Sequence, residues 1–193
     1  MDWEQRFQDN MTPWERPGLH PAVIDWVADG VLRPGLSVLI PGCGRSPELA
    51  HLASLGLNVT GFDLSETAIA WQRDGLTQQG LRAELVTGDA FTWSPEQSID
   101  LIYEQTFLCA IQPSLRETYE TCAHRWLKPG GRFLALFMQK AEQGGPPYGC
   151  SLEAMHELFP AERWEWLEDK SFTPYPHPSL NDKPEFAGVL TRR

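Results

Sequence analysis

The stretch Val38-Leu39-Ile40-Pro41-Gly42-Cys43-Gly44 decides how the rest of the chain is read. Three apolar residues, two of them β-branched, read as the end of a buried strand. Pro41, Gly42 and Gly44 then make a tight loop, and a helical pattern follows from Pro47. Strand, glycine turn and helix together form the first half of a nucleotide-binding crossover. A side chain in such a loop would hold the backbone away from a ligand lying over the strand's carboxyl end. Glycine loops after strands also occur with no ligand, so the reading depends on what stands downstream.

On both sides of this loop the pattern alternates. Upstream, residues 3–9 fit a short helix with Trp3 and Phe7 on one face, and Thr12-Pro13-Trp14 breaks it. Pro21 suits the start of a second helix, in which Val23, Ile24 and Val27 line one side. Downstream, residues 48–55 read as a helix and 58–62 as a strand, and Ser65 caps a helix over 66–74. Strands over 83–87 and 99–103 precede a helix whose apolar face is Leu115, Tyr119, Cys122 and Trp126. Lys128-Pro129-Gly130-Gly131 turns the chain into a fifth strand at 132–138. A helix at 152–158 and two strands, 164–167 and 186–191, separated by a long proline-rich loop, complete the set. Strands alternating with helices at short intervals predict an α/β, Rossmann-like fold with helices on both faces of a mostly parallel seven-stranded sheet. The terminal strand pair predicts an antiparallel last strand. No repeat or linker divides residues 1–193, which read as a single domain.

Composition narrows the function. At 193 residues the chain is long enough for one well-buried core. A net charge of −10 and a pI near 4.9 argue against a nucleic-acid partner. No apolar run approaches a membrane span, and the N-terminus lacks the pattern of a signal peptide. Cys43, Cys109, Cys122 and Cys150 form no CxxC pair and no zinc spacing, so a cytoplasmic protein with reduced thiols and no metal is expected. Eight tryptophans are many for this length; they serve either packing or the walls of an apolar or cationic site.

The strand ends carry the chemistry. Asp63 lies nineteen residues after Gly44 (63 − 44 = 19) and closes the second strand, where a carboxylate accepts hydrogen bonds from both hydroxyls of a ribose. Asp89-Ala90-Phe91 follows the third strand, with an acid for an adenine amino group and apolar cover for its ring. Glu104-Gln105-Thr106 follows the fourth. A nicotinamide cofactor wants a third glycine for close helix packing, but in Gly42-Cys43-Gly44-Arg45-Ser46-Pro47 a proline stands there. S-adenosylmethionine carries no phosphate and needs only the close backbone approach plus the acid. It is the cofactor this pattern favours.

These residues resemble the thiopurine S-methyltransferase superfamily, especially its thiol and halide methyltransferase branch. The likeness covers most of the chain: Trp3-Glu4-Gln5-Arg6-Phe7, Thr12-Pro13-Trp14, Pro41-Gly42-Cys43-Gly44 and Gly61-Phe62-Asp63-Leu64-Ser65-Glu66-Thr67-Ala68. It continues in Asp89-Ala90-Phe91-Thr92-Trp93, Phe107-Leu108-Cys109-Ala110-Ile111-Gln112-Pro113 and Gly144-Gly145-Pro146-Pro147-Tyr148. The aromatic N-terminal set and the Gly-Gly-Pro-Pro-Tyr run are its most specific parts. The resemblance implies a class I methyltransferase fold that binds S-adenosylmethionine and releases S-adenosylhomocysteine. It implies an N-terminal lid over residues 1–30 with Trp3, Phe7 and Trp14, and an acceptor-side loop over 139–150. Gly42 and Gly44 would approach the methionine end, Asp63 and Leu64 the ribose, and Asp89, Ala90 and Phe91 the adenine. Glu104 and Gln105 would stand near the methionine moiety, with Gln105, Trp14 and Tyr148 positioning a small-molecule acceptor. Phe7 replaces the family's usual Trp, and Gln105 replaces the Arg of thiopurine enzymes or the Tyr of plant halide enzymes.

Methyl transfer from a sulfonium is an in-line displacement whose donor already carries the activation. A thiol ionises near pH 8.5 and a halide needs no base, which agrees with a chain showing no convincing acid–base pair. His20, His51, His124, His156 and His177 are scattered and read as surface or satisfied structural residues, and no catalytic acid or base is assigned. Cys43 and Cys109 read as small buried hydrophobes. Oxygen, nitrogen, selenium, tellurium or arsenic acceptors, or binding without catalysis, are the alternatives. Nothing in the chain sets an oligomeric state, and a monomer is compatible with it.

Overall fold

The structure, a computed structural model, describes residues 1–178 and 181–193. It divides into two compact units, Met1–Trp93 and Ser94–Arg193.

The first unit contains α1 (Trp3–Gln8), α2 (Pro21–Ala28), β1 (Ser37–Pro41), α3 (Glu48–Ser54), β2 (Asn58–Asp63), α4 (Glu66–Gln79) and β3 (Glu84–Thr87). Its strands run in the order β3-β2-β1 and are parallel. Val38, Leu39 and Ile40 are all buried, as an unbroken apolar run in a sheet covered on both faces must be. Pairing of Pro41 with Phe62 and of Asp63 with Thr87 brings the three carboxyl ends level. Two details differ from the sequence pattern. The buried stripe of α2 is Ala22, Val23 and Trp26, while Ile24 is 55% exposed. One step along a helix turns a side chain by about 100°, and the bulkier Trp26, three residues from Val23, takes the inward place. Helix α4 also runs past Gly75 to Gln79. A glycine inside a helix costs only about 1 kcal/mol and need not end it, whereas a residue in the left-handed region is a common stop. Gly80, at φ 65°, provides it.

The second unit contains β4 (Ile99–Gln105), α5 (Arg116–Trp126), β5 (Leu127–Met138), α6 (Leu152–Leu158), β6 (Trp164–Trp166), β7 (Pro174–Pro176) and β8 (Pro184–Arg192). Strand β4 pairs parallel with β5, and β8 lies antiparallel between β5 and β6. The antiparallel last strand is therefore as expected, and β7 adds a short eighth strand on β8. Its two prolines gave it the look of loop; residues 179 and 180 of that proline-rich stretch lie outside the described residues. The Lys128-Pro129-Gly130-Gly131 turn survives as a bulge within β5, where the register jumps from Ile99↔Leu127 to Leu101↔Arg132. Tyr119, Cys122 and Trp126 are buried along α5, but Leu115 precedes the helix and is 38% exposed.

Phe133, Phe137, Phe159 and Trp164 are fully buried in the second unit. Phe159 packs 5.1 Å from Phe133 and 5.4 Å edge-on from Trp164. The Trp164 indole donates to Glu120 Oε1 at 2.5 Å. Trp126 and Trp164 thus belong to the core. No helix among the described residues is long and apolar enough to cross a membrane.

Candidate active site

In the first unit the glycine loop and Asp63 form one hydrogen-bonded piece. Gly44 N–H donates to Asp63 Oδ2 at 2.8 Å, and Ser65 N–H donates to Oδ1 at 2.9 Å. The carboxylate therefore joins the loop after β1 to the turn after β2. Gln72, from α4, donates to the carbonyls of Gly44 and Ser46 at 2.9 and 3.0 Å. Burial raises the pKa of Asp63, against hydrogen bonds from Ser65, Gly44 and Leu64 that lower it. A carboxylate offers about four acceptor sites, so beside these three bonds Asp63 can accept from one further donor. One hydroxyl of a vicinal diol fits that capacity. Leu64, beside it, is 60% exposed.

Glycine is required at 44. Its φ is 47°, and an added Cβ would come 3.1 Å from the Phe7 ring. Phe7 is buried, and Trp14 packs edge-on to both Trp3 and Phe7 at 5.5 and 5.8 Å. The three aromatic residues singled out in the N-terminal segment thus come together against the loop. Each ring pair is worth about 0.5–1.5 kcal/mol beyond the area it buries.

Two residues with no assigned role in the sequence hold this segment. Glu4 accepts from Ser65 Oγ at 2.6 Å, Thr67 N at 3.2 Å and Thr67 Oγ1 at 2.6 Å. The two hydroxyl bonds pull its pKa down to about 2. Arg45 donates to both carboxylate oxygens of Glu15 at 2.7 and 3.1 Å, to Asn10 Oδ1 at 2.8 Å and to Thr12 Oγ1 at 2.8 Å. Glu4 lies one residue from Trp3, within the aromatic motif, and Ser65 and Thr67 flank the helix start; that pairing of motifs was the available signal.

Asp89 is exposed and Ala90 buried. Asp89 Oδ1 accepts from Phe91 N–H at 2.9 Å, which closes the turn after β3. Cys43 is a buried free thiol whose pKa is pushed well up by burial and by the Asp63 charge. A thiol held protonated is no nucleophile.

In the second unit β4 ends at Glu104 and Gln105. Glu104 is wholly buried; its Oε1 accepts from Phe107 and Leu108 N–H at 2.8 and 2.7 Å, which folds the chain back after the strand. Its Oε2 is buried without a partner. Burial, chiefly, pushes its pKa up to about 7. Gln105 Oε1 accepts from the Tyr103 hydroxyl at 2.8 Å. Thr106 follows at φ 63°. A β-branched residue there stores about 1–3 kcal/mol, a strain found most often beside functional groups.

Tyr148 is half-buried, and its N–H donates to the Cys109 carbonyl at 2.7 Å. Lys140 Nζ donates to the carbonyls of Gly144 and Pro147 at 2.7 and 2.9 Å, closing the Gly-Gly-Pro-Pro-Tyr loop on itself. The Cys109 thiol is buried with its pKa pushed well up by that burial. Of the histidines, His20 is buried as the cap of α2, where its Nδ1 accepts from Ala22 N–H at 3.1 Å. No group of three or more His, Cys, Asp or Glu among the described residues is placed to hold a metal ion.

Residues 1–178 match the family model described as Thiopurine S-methyltransferase (TPMT). The chain belongs to the thiopurine S-methyltransferase family. It is 33% identical over 159 residues to a probable thiol methyltransferase 2 of Arabidopsis thaliana, and 31% identical over 159 residues to thiocyanate methyltransferase 1 of the same plant. Each match covers 81% of this chain and 70% of the relative. Its fold is similar to that of 1,6-didemethyltoxoflavin-N1-methyltransferase from Burkholderia thailandensis, solved with S-adenosylhomocysteine. That likeness has a TM-score of 0.77 at 21% identity and covers 100% of this chain and 85% of the other. The fold is that of class I methyltransferases, with a mostly parallel sheet and an antiparallel terminal strand. The chain is an S-adenosylmethionine-dependent methyltransferase.

Proposed function

We propose that this enzyme methylates a small, soft nucleophile, a thiol, a thiopurine-like thiol or a halide, and that the first unit holds the nucleoside end of S-adenosylmethionine. The observation that carries the reading is the Asp63 carboxylate, which joins two loops and keeps acceptor capacity for a ribose hydroxyl. Asp63 with Leu64 would hold the ribose, Ala90 and Phe91 the adenine ring, and Asp89 its amino group. The glycine loop at Gly42 and Gly44 would lie under the cofactor, with Trp3, Phe7 and Trp14 excluding water. Glu104 Oε2 would accept from the methionine ammonium, and Gln105, Trp14 and Tyr148 would position the acceptor.

The bound cofactor supplies a methyl group on a positively charged sulfur, and no metal is called for. The protein's part is alignment and exclusion of water. The thiols closest in sequence to the proposed site, Cys43 and Cys109, are buried with their pKa values raised by that burial, which argues against a covalent part for either. The soft-acceptor reading rests on aromatic rings at Trp3, Phe7 and Trp14, and it agrees with the names of the thiol and thiocyanate methyltransferase relatives. A headspace assay with hydrosulfide, aromatic thiols, iodide, selenite and tellurite in parallel tests it. Methylated product is expected with thiols or iodide. Turnover with selenite or tellurite alone, or with hydroxyl and amine acceptors alone, would move the enzyme to another acceptor class.

A further inference from the structure

Arg116 is the first residue of α5 and is 8% exposed. An arginine so placed would repel the positive end of the helix dipole, so its location there calls for a reason. Its guanidinium makes three directed bonds to two separate loops. Nε donates to the Leu108 carbonyl at 3.2 Å, in the loop after β4. Nη1 donates to the Gly149 carbonyl at 3.0 Å and Nη2 to Cys150 Sγ at 3.2 Å, in the loop after β5. The backbone bond from Tyr148 N–H to the Cys109 carbonyl, at 2.7 Å, also ties these loops together. Burial pushes the Cys150 pKa up to about 12, so the arginine faces a neutral thiol rather than a thiolate.

The first of these loops follows directly on Gln105, the last residue of β4, and the second carries Tyr148. Behind each is a firm support. The loop after β4 is folded by Glu104, and Gln105 is held by Tyr103. The loop after β5 is anchored by Gln139, which donates to the Phe137 and Cys150 carbonyls at 2.8 Å each. Each loop is thus braced on its own side, and beyond the β4–β5 pairing, which ends at Gln105 and Leu136, the groups that bridge the loops hold their spacing. A rigid, planar guanidinium with a fixed fork of donors sets such a spacing in a way that a flexible ammonium does not.

We propose that Arg116 is the positioning residue that fixes the spacing between the loop that follows Gln105 and the loop bearing Tyr148, and so the size of acceptor the enzyme accepts. This rests on the reading of Gln105 and Tyr148 as acceptor-side residues. Arg116 itself touches neither cofactor nor acceptor and acts through the two loops.

The test is steady-state kinetics of Arg116→Lys with hydrosulfide and with benzenethiol, beside S-adenosylhomocysteine calorimetry and thermal unfolding. Lysine keeps the charge, but its donors sit on a single nitrogen and lack the fixed fork that reaches all three partners. The expected result is a KM for benzenethiol changed by about tenfold, a clearly smaller change for hydrosulfide, and cofactor affinity within about twofold of the original. A purely structural role would lower the melting temperature and kcat without changing the ratio of the two acceptor KM values, and that result overturns the proposal. If Arg116→Lys does not fold, Cys150→Ala, which removes one of the three partners, is read by the same ratio in the same direction. Gln105→Ala and Tyr148→Ala separate the two levels. If neither changes an acceptor KM, the acceptor-side reading fails. If either does and the Arg116 and Cys150 variants leave the ratio unchanged, the Arg116 proposal alone fails.

Discussion

Replacing Asp63 by Asn tests stability and cofactor binding with one atom exchange. Both carboxylate oxygens accept a backbone N–H, from Gly44 and from Ser65. An amide has one carbonyl oxygen, so either way it turns, one of those N–H groups faces an NH₂. The lost charge-assisted bond is worth about 1.5–3 kcal/mol. Burial raises the Asp63 pKa, so removing the charge recovers part of this, and the net loss should be about 1–2 kcal/mol. For a chain of this size that lowers the melting temperature by about 2–8 °C. Binding should suffer more, because the remaining carbonyl oxygen is already engaged. Losing one charge-assisted bond to a ribose hydroxyl predicts S-adenosylhomocysteine affinity weaker by about ten- to a hundredfold in calorimetry. An unchanged melting temperature would refute the claim that the carboxylate joins the two loops. Unchanged affinity in a variant with lowered stability would refute the ribose assignment.

The other carboxylates predict opposite pH responses. Glu104 has a folded-state pKa near 7, above its unfolded value, so its share of stability is full at low pH and fades as pH rises from about 4.5 to 7. Urea unfolding at pH 5 and pH 8 should show that loss, and Glu104→Gln, which keeps an acceptor for Phe107 and Leu108, should flatten it; parallel curves would contradict the assignment. Glu4, with its pKa near 2, contributes stability above its unfolded pKa and loses it as pH falls towards 2. Glu4→Ala should therefore unfold earlier than the original at pH 7, with a clearly smaller difference at pH 2, where about half of Glu4 is protonated; a constant difference between pH 7 and pH 2 would rule out the carboxylate as the source. Arg45→Met removes the bonds to Asn10, Thr12 and Glu15, so chymotrypsin should cut at Trp3, Phe7 or Trp14 several-fold faster; an unchanged rate would show that the aromatic packing alone holds the segment.

Local chemistry made the sheet and the strand ends legible. The apolar run 38–40 makes a strand by local pattern alone, and Gly44 and Asp63 stand in the loop and at the strand end where that pattern placed them. Ser65 caps α4 by accepting Ala68 N–H, as its place before the helix implied. The misread features answer to tertiary context. Gly75 resembled a helix end because sequence does not show that its side faces open space. Pro174–Pro176 resembled loop because only the pairing with β8 makes it a strand. Ile24 and Val23 are equally apolar, and only packing separates them. The groups that fasten the site were invisible for a related reason. Glu4 reaches Ser65 and Thr67, Arg45 reaches back to Asn10, and Arg116 reaches Gly149 and Cys150. These are charged residues whose partners lie from about 30 to 60 positions away, and no periodicity announces such bonds.

The most direct test of the account compares two acceptors of nearly the same shape. Benzenethiol and phenol differ by one atom, and at saturating S-adenosylmethionine their rates can be followed through release of S-adenosylhomocysteine. A soft-nucleophile methyltransferase turns over benzenethiol at least about a hundredfold faster than phenol at pH 7.5, with one methyl thioether formed per S-adenosylhomocysteine released. Equal rates, or faster release with phenol, would contradict it.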